Sequence, residues 1–258
     1  MTTYLDGIIE HHRGVAARDD RSLADLLPAA RALPPTRGFA AALRSRDGLG
    51  VIAEIKRRSP SRGDLAIDLD PIEVARAYER GGAACLSVLT DGPHFAGSAE
   101  DLRSARGGCD LPVLRKDFTV SELDVVDART MGADCVLLIA AALDDTELGA
   151  FHRLATDLGL DALVEVHDEP ELERALAVGA DLVGVNQRDL VTFEVDHARA
   201  LRMAAAIPGH VVSVAESGVR GGDDARALRD AGYDAVLVGE SLVTSDDRES
   251  MLAELIGP

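Results

Sequence analysis

Val51-Ile52-Ala53-Glu54-Ile55-Lys56-Arg57-Arg58-Ser59-Pro60-Ser61 opens as an apolar, β-branched run, turns charged at Lys56 and ends in a Ser-Pro-Ser turn. That order predicts a buried strand whose exit carries polar groups, as at a site rather than in plain core. Of the 27 basic residues only two are lysines, Lys56 here and Lys116 in Pro112-Val113-Leu114-Arg115-Lys116-Asp117-Phe118. Arginine stays protonated in proteins, whereas a compact lysine can have its pKa lowered by burial, which suits proton transfer or Schiff-base chemistry. The plainer alternative is two structural cations at strand ends, but lysine is seldom buried without a partner.

Working outward, the same kind of run recurs. Apolar, strand-like stretches begin near Val51, Ala84, Leu111, Cys135, Ala162, Leu182, Val211 and Ala235. Helical patterns lie between them, as in 71–78 and 170–176. Gly132-Ala133-Asp134, Gly179-Ala180-Asp181 and Gly232-Tyr233-Asp234 each precede a strand, where glycine supplies a left-handed helix cap. The strands are short and continuously apolar, as expected where both faces of a sheet are covered. Eight such βα units predict an α/β protein with a (β/α)8 TIM barrel over residues 49–258. A doubly wound open sheet is the structural alternative, but no G-x-G-x-x-G follows the first strand.

Residues 1–48 differ from the rest. Tyr4, Leu5, Ile8 and Ile9 fall at helical spacing, and Leu23, Leu26 and Leu27 repeat it until Pro28 and Pro34-Pro35 interrupt. Residues 39–43 read as another short helix. The expected organisation is a single TIM-barrel domain over 1–258, with 1–48 as an N-terminal helical extension packed on the barrel.

A formal charge of −18 and a pI near 4.7 argue against nucleic acid and anionic membranes as partners, since both need a basic face. A small phosphorylated metabolite needs only a local cluster of donors. Residues 1–10 carry no secretory pattern, and no apolar run approaches the roughly 18 residues of a membrane span, so a cytoplasmic location is expected. Cys85 and Cys135 sit inside apolar runs as core filler, and Cys109 follows a Gly-Gly pair in a loop, so no disulfide framework is expected. His11 and His12 are adjacent on a helix and so do not share a face; they read as surface residues, and no metal is expected.

In a barrel, polar residues at the strand exits converge on one mouth. Glu54 and Lys56 share a face at i and i+2. The second strand ends in Thr90-Asp91-Gly92-Pro93-His94-Phe95, the third at Lys116 and Phe118, and the fourth stays apolar through Ile139. The fifth gives Glu165, the sixth Asn186 and Arg188, the seventh Glu216, Ser217 and Gly218, and the eighth Gly239, Glu240 and Ser241. Two lysines, several carboxylates, an asparagine and an arginine around one pocket suit acid and base chemistry on a small anion. Each has a plainer alternative. Glu165 could be a paired structural carboxylate, Glu54 could orient Lys56, Asn186 could cap the next helix, and Glu216 reads as a pairing partner. His94 and His167 read as supporting loop residues.

Ser217-Gly218 and Gly239-Glu240-Ser241 follow strands seven and eight, the commonest phosphate site of this architecture. Glycine lets the backbone approach closely, and N–H groups can hold the anion without a basic side chain. Ser59 and Arg62 are placed to close the same anion from the other side. Phe95 and Phe118, two of only five phenylalanines, fall just beyond strand ends, where they can line a slot for an aromatic ring or simply pack the loops.

These residues resemble the indole-3-glycerol-phosphate synthase family of tryptophan biosynthesis. The similarity spans essentially the whole chain and rests on the two lysine stretches quoted above together with four more. They are Leu163-Val164-Glu165-Val166-His167, Gly184-Val185-Asn186-Gln187-Arg188-Asp189-Leu190, Ala215-Glu216-Ser217-Gly218 and Val238-Gly239-Glu240-Ser241-Leu242. The resemblance implies closure of an indole ring on 1-(2-carboxyphenylamino)-1-deoxyribulose 5-phosphate, with loss of carbon dioxide and water and no metal or organic cofactor. It implies that Lys116 is the general acid at the ribulose carbonyl. Lys56 would hold the substrate carboxylate and act in dehydration, with Glu165 and Glu54 as proton acceptors. Asn186 would position hydroxyls, Arg188 and Glu216 would support them, and Ser217 would touch the substrate. Ser59, Gly218, Gly239, Glu240 and Ser241 would cradle the phosphate, and Phe95, Phe118, Leu137 and Leu190 would wall the anthranilate pocket. The expected partner is this phosphosugar-anthranilate compound alone, bound by a monomer.

Two positions depart from the family pattern: His94 stands where a second aromatic is frequent, and Gln187 where small residues are common. Rival functions on the same barrel are a phosphosugar isomerase, a Schiff-base aldolase and a non-catalytic phosphosugar-binding protein. A binding protein would need the phosphate cradle but not Lys116.

Overall fold

The computed structural model describes residues 4–189 and 194–257. The eight apolar runs form parallel strands: β1 (Gly50–Ile55), β2 (Cys85–Leu89), β3 (Val113–Lys116), β4 (Cys135–Ile139), β5 (Asp161–Val166), β6 (Leu182–Asn186), β7 (Val212–Glu216) and β8 (Ala235–Val238). Each pairs with its sequence neighbours, and β1 closes the barrel by pairing with both β2 and β8. In the register, Ile52 lies opposite Cys85 on one side and Leu237 on the other. Starts fall within two residues of expectation. The largest offset is in β3, where Pro112 has no N–H for the ladder and the strand begins one residue later, although the Pro112 carbonyl still accepts from Leu86 N at 2.8 Å.

Thirteen α-helices are described: α1 (Tyr4–Ala16), α2 (Leu23–Arg31), α3 (Phe39–Arg44), α4 (Pro71–Arg80), α5 (Gly92–Phe95), α6 (Ala99–Gly108), α7 (Glu122–Met131), α8 (Asp145–Asp157), α9 (Glu169–Ala177), α10 (His197–Met203), α11 (Gly222–Asp230), α12 (Glu240–Val243) and α13 (Arg248–Ile256). Side chains of Asp70, Ser98, Ser121, Asp144 and Asp168 accept first-turn N–H groups of the helices they precede, each worth about 1 kcal/mol. Gly132, Gly179 and Gly232 take left-handed φ values of 94°, 84° and 103°, as their position before a strand predicts. Pro28 does not end α2 as the sequence suggests. Leu23, Leu26 and Leu27 pack against the core and carry the helix past the missing hydrogen bond.

Two apolar layers follow from strand alternation. Val51, Ala53 and Ile55 face outward into the layer beneath the helices, whereas Ile52 faces the barrel interior with Leu114, Cys135, Leu163, Leu182, Val212 and Ala235. α3 closes the N-terminal end of the barrel: Phe39, Ala40 and Leu43 are buried in the same interior cluster. Asp161 Oδ2 accepts from Ala40 N at 2.9 Å, and Asp134 Oδ1 from Arg37 N at 2.7 Å, which fixes the entry to that plug. Burying a side chain of this size contributes about 1.5–3 kcal/mol. All three cysteines are free and buried. Among the described residues no helix is long and apolar enough to cross a membrane.

Candidate active site

The inward row of each strand climbs from the apolar interior to the C-terminal mouth in steps of two residues. Ile52 leads to Glu54 and Lys56, Leu114 to Lys116, Leu163 to Glu165, and Val212 and Val214 to Glu216. The charges therefore converge above a dry floor, around a cavity of about 730 Å³. It is lined by Lys56, Lys116, Glu54, Glu165, Asn186, Glu216 and Ser217, and also by Ser59, Phe95, Phe118, Leu137, Arg188, Gly218, Gly239, Glu240 and Ser241. Of the residues expected at the site only Leu190 is not placed there, because it lies outside the described residues.

Lys116 occupies the centre. Its Nζ donates to Glu165 Oε2 at 2.9 Å and to Glu216 Oε2 at 3.1 Å. Burial favours the neutral amine, but the Glu165, Glu216 and Glu54 carboxylates outweigh it and hold the pKa above the ordinary lysine value. This corrects the expectation that burial lowers it. A lysine held as ammonium is no Schiff-base nucleophile, which weighs against the aldolase.

One ammonium between two buried carboxylates cannot satisfy both equally. Burial raises the pKa of Glu165, but Lys116, His167 and Asn186 overcome it and hold the group down at about 2. Asn186 Nδ2 donates to Glu165 Oε1 at 3.1 Å, and the His167 ring lies 3.6 Å from the same oxygen, steadied by Glu171 at 3.1 Å. Glu216 is pushed the other way, to about 7, by burial and the repulsion of Glu165, which outweigh Lys116. Glu216 Oε1 is buried without a hydrogen-bond partner among the described residues. Strongly perturbed groups of this kind concentrate at functional sites.

Lys56 Nζ donates to Glu54 Oε1 at 2.5 Å, so Glu54 does orient the lysine. Two glycines make room for these groups. A Cβ at Gly239 would overlap Glu54 Oε1, and one at Gly184 would overlap Glu216 Oε1. Gly184 was invisible to sequence reasoning because nothing on its own strand signals the neighbour it accommodates.

At the far end of the cavity, Ser217 and Gly218 both take left-handed backbone, with φ values of 66° and 77°. For a serine this costs about 1–3 kcal/mol and persists only where the surroundings enforce it. Gln187 enforces it, donating through its side chain to Ser217 O at 2.8 Å and through its backbone to Glu216 O at 3.0 Å. Gln187 stood out in sequence only as a departure; its role is visible in three dimensions. A Cβ at Gly218 would run into Val195 and His197. Across the cleft, Glu240 and Ser241 begin α12, where N–H groups lack intrahelical acceptors. The Ser241 hydroxyl is committed to Val219 O at 3.2 Å, and Arg62 pairs with Glu240 at 3.0 Å. A short antiparallel hairpin, Arg58–Ser59 against Gly63–Asp64, holds Ser59 on the rim.

Phe95 and Phe118 are neighbours, with ring centroids 6.2 Å apart, and share the apolar side of the cavity with Leu89, Leu137, Ile139 and Leu237. α1 contributes Tyr4, Leu5 and Ile8 to the wall, a placement that helical spacing alone does not reveal. His94 stays outside, on α5. Among the described residues Asn186 caps no helix; its Oδ1 accepts from Arg188 N at 3.0 Å, which turns Arg188 into the cleft.

Solved structures share the fold at low identity. Thiamine phosphate pyrophosphorylase from Pyrococcus furiosus superposes with a TM-score of 0.61 at 18% identity, over 80% of this chain and 93% of that one. Among curated relatives, the indole-3-glycerol phosphate synthase of Mycolicibacterium smegmatis is 52% identical over 98% of this chain and 94% of its own length. A Streptomyces coelicolor protein, indole-3-glycerol phosphate synthase 2, is 51% identical over the full length of both. The family model for indole-3-glycerol phosphate synthase matches residues 5–255. With the two lysines, their carboxylates and the strained Ser217-Gly218 turn gathered in one cavity, the chain belongs to the indole-3-glycerol phosphate synthase family.

Proposed function

We propose that Lys116 is the general acid of ring closure, that Lys56 holds the substrate carboxylate, and that the turns after β7 and β8 hold the phosphate. The family's reaction converts 1-(2-carboxyphenylamino)-1-deoxyribulose 5-phosphate to indole-3-glycerol phosphate, carbon dioxide and water, in tryptophan biosynthesis. The chain is a decarboxylating lyase of that kind. The observation that carries the assignment of roles is the Lys116 ammonium, centred between Glu165 and Glu216 over an apolar floor.

In this reading the aromatic ring lies against Phe95, Phe118 and Leu137. The ribulose chain reaches across to Ser59, Gly218 and the N–H groups of Gly239, Glu240 and Ser241. Fixing both ends folds the substrate so that the ring carbon bearing the carboxylate meets the carbonyl carbon. Attack breaks aromaticity and builds charge on the carbonyl oxygen. An alkoxide is more basic than an amine, so even a lysine held above its usual pKa gives up a proton there, with acid catalysis worth about 10²–10⁴ in rate. Loss of carbon dioxide restores the ring.

Dehydration then needs an acid at the departing hydroxyl and a base for the proton that leaves the adjacent ring CH2 carbon, the nitrogen keeping its own. Lys56 supplies the first, and Glu165 or Glu54 the second. Asn186, Arg188, Ser217 and Glu216 position the hydroxyls. No step calls for a metal or organic cofactor. We also read the chain as one TIM-barrel domain with residues 1–48 as its extension, and as a cytoplasmic monomer whose partner is this substrate rather than nucleic acid or membrane. The acidic charge of −18 supports that choice of partner.

The test mixes the chain with the carboxyphenylamino compound in chelator and follows indole fluorescence, unmasked because there is no tryptophan, alongside carbon dioxide. The expected result is one equivalent of each, with no lysine trapped by borohydride. Binding without carbon dioxide release, or a trapped lysine, would overturn the proposed roles.

A further inference from the structure

His12 and His94 approach the same oxygen of Asp91 from two different elements. His12 Nε2 lies 2.9 Å and His94 Nδ1 3.1 Å from Asp91 Oδ2, and the three ligand atoms all lie within 4.8 Å of one another. By spacing alone His12 reads as a surface residue, since adjacent histidines on a helix do not share a face. The structure keeps that geometry, with His11 exposed, but turns His12 inward onto a loop 79 residues away.

The carboxylate is built in. Asp91 is 2% exposed, and its Oδ1 accepts the backbone N–H groups of His94 at 2.7 Å and Phe95 at 3.1 Å, which leaves Oδ2 aimed between the two rings. Burial pushes this carboxyl up, but bonds from His12 and His94 more than offset it and hold it at about 2. The imidazoles are about one-fifth exposed, so the cluster opens to water on one side. Two imidazole nitrogens, one carboxylate oxygen and an open position form the donor set of a tetrahedral zinc-type site. Metal bonds of about 2.0–2.1 Å place neighbouring ligand atoms about 3.3 Å apart, so the two contacts to Asp91 would spread by a few tenths of an ångström while the ring nitrogens, within 4.8 Å, settle at the same spacing.

We propose that His12, Asp91 and His94 bind a divalent late transition metal of the zinc class, and that the metal pins α1 over the substrate cavity. The coupling follows from helix spacing. Ile8 and His12 are four residues apart and share a face with Leu5, and Leu5 and Ile8 line the cavity wall. His12 also packs on Phe118, with ring centroids 5.2 Å apart, and His94 immediately precedes Phe95. An ion at this seam therefore ties the helical lid to both aromatic walls.

The untagged chain, stripped with chelator, is titrated with zinc by calorimetry and with cobalt(II) by visible absorption. The expected result is one saturable equivalent, the cobalt spectrum of a four-coordinate nitrogen and oxygen site, and at least a tenfold weaker affinity in His12→Ala and in His94→Ala. His210→Ala, exposed just before β7 at the opposite end of the barrel, keeps wild-type affinity and serves as the folding and surface-histidine control. Hydrogen exchange of the α1 amides is expected to slow on adding zinc in wild type and not in His12→Ala. Absence of a saturable equivalent, or affinity unchanged in both cluster variants, overturns the site. Zinc binding that leaves α1 exchange unaltered overturns the coupling.

Discussion

The two ends of the barrel use the same residue class for opposite ends. At the N-terminal end, Asp134 is fully buried and satisfied: it accepts from Arg37 N at 2.7 Å and Val113 N at 2.8 Å, and pairs with Arg106. Asp234 likewise accepts Ser213 N at 2.7 Å. At the mouth, Glu165 and Glu216 are as deeply buried, yet they compete for one ammonium, and one Glu216 oxygen has no hydrogen-bond partner among the described residues. A satisfied carboxylate stabilises; a frustrated one costs stability and is left with capacity for a substrate. Stability is thus concentrated at the closed end and reactivity at the open one, the division this architecture favours.

The sharpest way to break the comparison is to exchange the consequences. Asp134→Ala leaves two backbone donors and an arginine without their acceptor. It should cost about 3–5 kcal/mol in urea unfolding while kcat of the folded fraction stays within about twofold. A comparable loss of kcat would mean that the closed end takes part in catalysis. Glu165→Gln should instead act on the chemistry, lowering kcat of the folded fraction by about 10²-fold.

Stability against pH sharpens the contrast further. The Glu216 pKa is raised in the fold, so the native state binds more protons than the unfolded chain between pH 4.5 and about 7. Its contribution is full below that window and is lost as pH rises through it. Denaturant unfolding of wild type and Glu216→Gln at pH 5 and pH 7.5 should show wild type losing on the order of 2 kcal/mol relative to the variant over that interval. Glu165, held at about 2, acts with the opposite sign: its contribution is present above pH 4.5 and lost as pH falls towards 2. Smallest of all, Ser121→Ala removes the cap of α7 near the mouth. It should cost about 1 kcal/mol and leave kcat unchanged, showing that polar residues at the mouth are not catalytic merely by address.

The sequence disclosed most where chemistry and periodicity coincide. Ile52, Glu54 and Lys56 on one alternating face announced both a strand and its exit, and the Gly132, Gly179 and Gly232 caps announced the returns. What remained hidden depends on partners far along the chain. Gly184 is small because Glu216 of the next strand needs its space, and Gln187 matters because it holds Ser217. His12 becomes significant only when α1 folds across the mouth onto Asp91. The raised pKa of Lys116 is hidden for the same reason, since burial is readable from an apolar run but three converging carboxylates are not.

The most direct test of the central claim is kcat and thermal midpoint measured together for Lys116→Arg. Arginine keeps the positive charge between Glu165 and Glu216 but cannot readily release a proton. The expected result is a loss of about 10²-fold or more in indole formation, with a midpoint close to wild type. Retention of most of the wild-type rate would contradict it, because charge alone at this position would then suffice for the chemistry.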